Sequence, residues 1–170
     1  MKGYKAFNKD MTNRYGMKFE EGKTYSVEGE LKFGVKGNGF HFCKRLEDTL
    51  RYVPGMNEEI AIAKVSSTSK RMEYVDEYYD YYDMYVCRTL KIDKILSREE
   101  IVKMFLYAPP QRVIRFVSGY KLTEEEIELF REIYKDEKDV LKAISYHQEH
   151  DLDAYSRDYY DYKKVLVKEK

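Results

Sequence analysis

The stretch that most constrains the fold is a glycine-rich turn followed by a short apolar strand and a helix, at residues 37–52. Gly37 and Gly39 suit a tight turn, and residues 40–43, Phe-His-Phe-Cys, follow it as a strand. From Leu46 onward the apolar side chains recur at helical spacing, and a Pro-Gly pair then ends the helix. This order of turn, strand and helix indicates an α+β domain.

Short segments of alternating polarity on both sides of this turn predict further strands. Glycine corners separate the first of these segments, which favours a β-meander. The segment at residues 59–65 is apolar on both faces, as in a central strand. We therefore predict a β-rich domain over residues 1–96 that combines a β-meander with one helix. The predicted strands lie at residues 3–7, 17–20, 24–27, 31–33, 40–43, 59–65 and 84–92.

Two capping boxes mark a change from strands to helices. They lie at residues 97–100 and 123–126, Ser-Arg-Glu-Glu and Thr-Glu-Glu-Glu, each just before an apolar pattern of helical spacing. Two further helical patterns occupy residues 113–119 and 138–147. We predict that residues 97–170 form a helical C-terminal part that packs on the β-rich domain.

The charges balance, with 31 Lys+Arg against 31 Asp+Glu. Direct nucleic-acid binding is therefore not expected, because it usually requires a basic excess. No apolar run is long enough to span a bilayer, and the opening residues lack the apolar core of a signal peptide. We expect a cytoplasmic protein that does not contact membranes, with its two cysteines reduced and buried.

An acid-tyrosine segment at residues 73–83 contains five acids, five tyrosines and no base. One interpretation is a solvated edge or loop, whose acids oppose edge-to-edge strand pairing. The other is a contact surface for a basic partner protein, with carboxylates that steer the encounter and tyrosines that anchor it. A similar piece at residues 158–162 would extend this surface, which would then occupy a nucleic-acid-binding surface of the partner. The partner-binding residues of this hypothesis are Tyr74, Asp76, Glu77, Tyr78, Tyr79, Asp80, Tyr81, Tyr82 and Asp83.

His41 and Cys43 lie two residues apart on a strand, so their side chains point to the same face. Together with Cys87 they would supply three metal ligands, but no fourth is evident and we expect no metal site. A Cys43 nucleophile activated by His41 would need an orienting partner that the sequence does not show. Two other histidines, His147 and His150, are expected to complement the negative end of a helix.

Three segments of the chain resemble a domain of unknown function found in phages and their bacterial hosts. They are residues 4–10, Tyr-Lys-Ala-Phe-Asn-Lys-Asp, residues 19–25, Phe-Glu-Glu-Gly-Lys-Thr-Tyr, and residues 39–43, Gly-Phe-His-Phe-Cys. Members of that family open with Tyr-Lys-Gly-Phe and centre on Gly-Phe-His-Ala-Cys, so this chain differs at Ala6 and Phe42. The resemblance implies a phage context and no established activity.

A weaker resemblance is to ADP-ribosyltransferase-like domains, which begin with a Tyr-His/Arg-Gly strand and continue with a Gly-x-Gly-Phe strand and a helix. The resemblance implies an enzyme that uses NAD, with Lys5 in the place of the Arg or His that holds the nicotinamide ribose. Lysine cannot reproduce the planar fork of arginine, and no Gln-x-Glu motif is present. The candidate catalytic residues on this interpretation are Lys5, Tyr25, His41 and Glu77, with Glu73 as an alternative to Glu77.

Two functions follow from these patterns. The first is a small binding or regulatory protein of a phage or other mobile element, without a cofactor, that contacts its partner through the acid-tyrosine segment. The alternative is an ADP-ribosyltransferase-like enzyme.

Overall fold

The computed structural model of the protein describes residues 1–32, 37–50, 60–69, 71–74 and 84–148, and only the backbone of residues 71–74. The chain divides into two compact units. The first comprises residues 1–53 and 59–101, and the second comprises residues 54–58 and 102–170.

Seven strands of the first unit form one antiparallel sheet in the order β2-β7-β4-β1-β3-β6-β5. With the helices that follow, this confirms the predicted α+β class. The strands are β1 (Lys2–Asn8), β2 (Thr24–Ser26), β3 (Phe40–Cys43), β4 (Ile60–Ser66), β5 (Arg71–Tyr74), β6 (Met84–Cys87) and β7 (Thr89–Ile95).

The connectivity corrects the predicted meander. Among the seven strands, only β5 and β6 are neighbours both in the chain and in the sheet. β1 lies at the centre instead, because β4 pairs with it along its whole length on one side and β3 pairs with it on the other. Only Arg88 separates β6 from β7, although three strands lie between them in the sheet, so the sheet must curl. The predicted strand at residues 84–92 is thus two strands.

Side chains of alternating residues form an apolar cluster on the inner face of the curled sheet. Gly3 pairs with Val65 and Lys5 pairs with Ala63, so these residues share the face that Phe7 occupies. The rings of Phe7 and Phe19 pack with their centroids 5.0 Å apart. The buried members of this cluster are Phe7, Met11, Phe19, Phe40, Phe42, Ala63, Val65, Tyr85, Cys87, Leu90 and Ile92.

The strand predicted at residues 17–20 is wrong. Residues 12 and 18 form one isolated bridge, and Asn13 Oδ1 accepts hydrogen bonds from the backbone N–H groups of Tyr15 and Met17. The chain therefore turns back on itself here. Phe19 is nevertheless buried, which explains the apolar position in the sequence pattern.

Gly39 is required at the turn before β3. Its φ of 120° is in the left-handed region, and an added β-carbon would lie only 2.5 Å from Val86 Cγ2. A side chain at this position would therefore push β3 away from β6. The close packing of Gly39 against Val86 therefore requires a glycine at this turn.

Helices occur mainly after the sheet, as predicted. The helix predicted after β3 is short, α1 (Leu46–Thr49), and residues 51–59 lie outside the described part of the chain. The others are α2 (Arg98–Lys103), α3 (Pro110–Gly119), α4 (Glu124–Ile133) and α5 (Lys138–Gln148). No helix in the described ranges is both long and apolar enough to cross a membrane.

Both predicted capping boxes are confirmed. Ser97 and Glu100 exchange hydrogen bonds between side chain and backbone in both directions, at 3.1 and 3.2 Å. Thr123 and Glu126 do the same at the start of α4, at 2.9 and 3.2 Å. These bonds satisfy the first N–H groups of each helix, which have no partner within the helix.

The helices of the second unit enclose a core of stacked aromatic rings. Phe105 and Phe116 stack with centroids 4.0 Å apart, and Phe130 lies 6.0 Å from Phe116. Gln148 joins the end of α5 to the end of α3: its amide donates to the carbonyls of Val117 and Tyr120, and its oxygen accepts from Leu122 N–H. The Gln148 side chain thereby supplies hydrogen-bond partners to three buried backbone groups at the end of α3 and just after it.

Candidate functional site

Lys5 is a charged residue at a position where the sheet otherwise places apolar groups. It lies on β1 between Gly3 and Phe7, on the inner face, and is partly buried. Its Nζ donates a hydrogen bond to the backbone oxygen of His41, 2.8 Å away. The same nitrogen lies 5.6 Å from the centroid of the Phe7 ring. We call Lys5, the His41 carbonyl and the Phe7 ring the Lys5 site.

The Lys5 site lies where the pairing of β1 with β3 stops. The two strands are in register at a single residue pair, Tyr4 with Cys43. They approach closely beside it, since a β-carbon on Gly3 would lie 2.3 Å from Cys43 O. Two residues before Cys43, the His41 carbonyl accepts from the Lys5 amine, so a side chain supplies the hydrogen bond that a backbone N–H gives in a longer ladder.

Burial lowers the pKa of the Lys5 amine to about 8. Cys43 and Cys87 oppose this shift, and Arg14 adds to it slightly. No carboxylate of the described residues contributes to the pKa of Lys5. At pH 7.4 about a fifth of such an amine is neutral, compared with about one in a thousand for an ordinary lysine.

The side chain of His41 lies on the opposite face of the sheet. Its strand pairs His41 with Val86 and Phe40 with Cys87, so Cys87 shares the inner face with Phe40. Burial lowers the pKa of His41, and the nearby Lys5 charge lowers it further. The imidazole is therefore neutral at physiological pH. The hydrogen bond from Lys5 is accepted by the backbone oxygen of His41, not by its imidazole.

The three possible metal ligands do not come together. His41 and Cys43 share one face, as predicted, but Cys87 points to the other. The Cys87 thiol donates to Thr89 O at 3.0 Å, and burial raises its pKa. Both thiols are buried, as expected, and the structure places neither in a disulfide. Within the described ranges, no group of three His, Cys, Asp or Glu side chains is placed to hold a metal.

The candidate transferase residues are only partly assembled. Lys5 and His41 lie on neighbouring strands and are joined by the hydrogen bond described above. Tyr25 lies on β2, where its ring packs 4.7 Å from that of Phe19 and its hydroxyl accepts from Glu20 N–H at 2.8 Å. Glu77 lies outside the described residues. The tyrosine hydroxyl is therefore occupied by a structural hydrogen bond.

The acid-tyrosine segment connects β5 to β6. Tyr74, the last residue of β5, pairs with Met84, the first residue of β6. β5 is the last strand of the sheet order, so the segment leaves and re-enters the sheet at its edge. The rest of the proposed contact residues, 76–83, and the second piece, 158–162, lie outside the described residues.

His147 does not have its predicted role of complementing the negative end of a helix. It lies in the last turn of α5 with no exposed surface, and burial lowers its pKa to about 4. A neutral ring cannot complement the negative end of a helix, so that prediction is wrong for His147. His150 lies outside the described residues.

Sequence reasoning did not predict that the Lys5 side chain is partly buried on the inner face of the sheet. The signal was present in the alternation of β1, where Lys5 has the same parity as Gly3 and Phe7. A lysine at an inward position of a strand is rare unless its charge is compensated.

A family model matches the first part of the chain. A model of the family described as Domain of unknown function (DUF7666) matches residues 1–104, which include all seven strands. A search of the curated proteins and a search of the solved structures each found no match. The matched region covers more than half of the chain. The chain therefore belongs to the DUF7666 family, whose function is unknown.

Proposed function

We propose that this protein is a small binding or regulatory protein of a phage or other mobile element, and that it contacts a partner protein through the acid-tyrosine segment. The observation that carries the proposal is the place of this segment in the chain. Residues 75–83 of the segment lie between Tyr74 of the edge strand β5 and its paired residue Met84 of β6. The nine residues between them connect two paired strands, and connections of this kind often carry binding residues.

The composition of these nine residues suits a basic partner. Four are acids and four are tyrosines. The whole chain has a formal charge of zero, so the negative charge is local and directs a partner to one place. Tyrosine rings supply contact area at a low entropic cost and are enriched among residues that dominate binding energy. A basic surface that binds nucleic acid has the complementary charge.

The test is capture of partners by a variant in which the acids are replaced by their amides. The variant changes Asp76, Glu77, Asp80 and Asp83 to Asn or Gln. Its matched control changes four exposed acids of the second unit in the same way, Glu124, Glu132, Asp136 and Glu137. Both variants add the same charge, so a difference between them reports on position.

Tagged wild-type protein and both variants would be incubated with a nuclease-treated bacterial lysate, and the captured proteins would be quantified by mass spectrometry. We expect wild type and control to capture a basic protein that the segment variant loses. Capture of the same proteins by all three chains, or of none by wild type, would overturn the proposal.

The alternative function is an ADP-ribosyltransferase-like enzyme that uses NAD. The hydrogen bond from Lys5 to the His41 backbone oxygen brings these two candidate residues together on neighbouring strands, although their side chains lie on opposite faces of the sheet. Calorimetry with NAD on wild type and on a folded His41→Ala variant tests it. Saturable binding that the variant loses would favour the enzyme, and no binding at millimolar NAD would rule against it.

A further inference from the structure

We infer that the basic surface around α3 of one copy of this chain docks on the acidic helix α4 of a second copy. The inference goes beyond the proposed function and does not depend on it, because it concerns only the second unit and not the acid-tyrosine segment.

Charge is divided between two consecutive segments of the second unit. Residues 102–122 contain four bases and no acid, whereas residues 124–139 contain eight acids and three bases. The formal charges of these segments are therefore +4 and −5, although the whole chain is neutral. Opposite charges on separate surfaces of one chain are complementary between two copies of it.

The basic face lies around α3. Arg112 and Arg115 are one turn apart on this helix, so they lie on the same side of it. The guanidinium carbon of Arg112 lies 5.6 Å from the centroid of the Phe105 ring, which places the first turn of α3 beside the end of α2. Tyr107, two residues after Phe105, is 85% exposed. The basic face consists of these three residues and two exposed lysines: Lys103, Tyr107, Arg112, Arg115 and Lys121.

The acidic face is the outer side of α4. Glu125, Glu128, Leu129 and Glu132 recur at helical spacing and are all exposed. Phe130 is fully buried on the inner side of the same helix. Glu128 pairs with an arginine of its own helix at 3.2 Å, yet 73% of its side chain remains exposed. Leu129, which is 39% exposed, lies between the three carboxylates on the helix surface.

A second copy suits both faces better than a nucleic acid suits one. A nucleic acid would be attracted by the bases around α3 and repelled by the acids that follow in the same unit. A second copy brings carboxylates to the bases and bases to the carboxylates. The ring of Tyr107 and the side chain of Leu129 add one apolar group to each face, and a tyrosine suits a contact because its body is apolar and its tip polar.

The size of the two faces sets the strength of the contact. α3 and α4 have ten residues each, so each helix is about 15 Å long. A contact of this length is smaller than a standard interface, which buries about 800 Å² per partner. Exposed ion pairs add little each and are screened by salt. We therefore expect association that is weak and that is lost at high salt.

The experiment measures self-association of the full chain by sedimentation velocity over a range of concentrations, at low salt and in 1 M NaCl. The basic-face variant carries Lys103→Gln, Arg115→Gln and Lys121→Gln, and it keeps Arg112, which packs on the Phe105 ring. The acidic-face variant carries Glu125→Gln, Glu128→Gln and Glu132→Gln. A control variant changes three exposed lysines of the first unit in the same way, Lys2, Lys9 and Lys64.

Wild type and control should associate at low salt and be monomeric in 1 M NaCl, where the Debye length is about 3 Å. Each face variant should associate about tenfold more weakly or less, because it lacks up to three ion pairs. An equimolar mixture of the two face variants should associate more tightly than either variant alone, because each supplies the face that the other lacks. This rescue also excludes misfolding of the variants as the cause.

Wild type that stays monomeric at low salt would overturn the inference, and so would a mixture that associates no better than its components. Two results would assign the basic face to another occupant and also overturn it. One is association that survives in the acidic-face variant but is lost when Asp76, Glu77, Asp80 and Asp83 are changed to amides. The other is a monomeric wild type that binds a single-stranded oligonucleotide, with binding lost in the basic-face variant.

Discussion

At the scale of single residues, the dominant feature is that Lys5 holds its charge on an apolar face. Removing an ammonium group from water costs free energy, and one hydrogen bond to a carbonyl restores only part of it. The sequence predicted the strand and the position of Lys5 on it. The alternation of β1 places Lys5 on the face of Gly3 and Phe7, but the extent of its desolvation depends on which strands lie on either side of β1.

The stability of the protein should rise with pH above pH 8 through Lys5. The pKa of Lys5 is about 8 in the folded chain and about 10.5 when unfolded, so between these values the unfolded chain binds more protons. The penalty is fully present below pH 8 and is relieved above it. We expect the difference in unfolding free energy between wild type and Lys5→Met to change by about 2 kcal/mol from pH 8 to pH 10, in favour of wild type.

Urea unfolding at each pH measures this difference, and Lys64→Met, an exposed lysine on the other face of the sheet, is the control. A difference that stays constant with pH would mean that the Lys5 amine is solvated.

His147 should make the protein lose stability in mild acid. Burial lowers its pKa to about 4 in the folded chain, against 6.5 when unfolded. Below pH 6.5 the unfolded chain therefore gains a proton that the folded chain does not, and stability falls by up to about 3 kcal/mol by pH 4. NMR titration of the histidine Cε1 protons should show one ring with a midpoint near 4. Midpoints near 6.5 for every ring would contradict the burial of His147.

At the scale of elements, local sequence signals predicted many of the helices and strands. They did not predict the register in which the strands pair. The capping boxes at residues 97–100 and 123–126 are confirmed because the bonds they make are between neighbours in the chain. The order of the strands depends on pairing between residues far apart, such as Gly3 with Val65. For the same reason, the sequence did not predict that Cys87 points to the other face from His41 and Cys43. Its face of the sheet depends on its register with Phe40.

The turn before β3 should be sensitive to any side chain at Gly39. Gly39 and Gly16 both have positive φ, but only the β-carbon of Gly39 would contact other atoms within 4 Å. We expect Gly16→Ala to lower the free energy of unfolding by about 1 kcal/mol through backbone strain alone. Gly39→Ala should cost at least about 2 kcal/mol more, since Val86 or the strand must move. Equal losses in urea unfolding would show that β3 and β6 are not tightly packed here.

At the scale of the whole molecule, the sheet has a core of its own. The buried cluster of the inner face comes entirely from residues 7–92, inside the first unit. The match to the family model ends close to the end of this unit, at residue 104. The predicted change from strands to helices near residue 96 follows from the capping box at residues 97–100 and the helical spacing after it, whereas the extent of the sheet's core depends on long-range packing.

Residues 1–104 expressed alone should therefore fold. Circular dichroism should show β structure that unfolds cooperatively with heat, and the amide NMR spectrum should be well dispersed. A collapsed spectrum without cooperative unfolding would mean that the first unit needs the rest of the chain.

The most direct test of the proposed function replaces residues 75–83 with nine Gly and Ser residues. Because Tyr74 and Met84 pair on either side, we expect an intact sheet by NMR and complete loss of partner capture. A replaced chain that is folded and still captures the same partner would contradict the claim that this segment forms the contact surface.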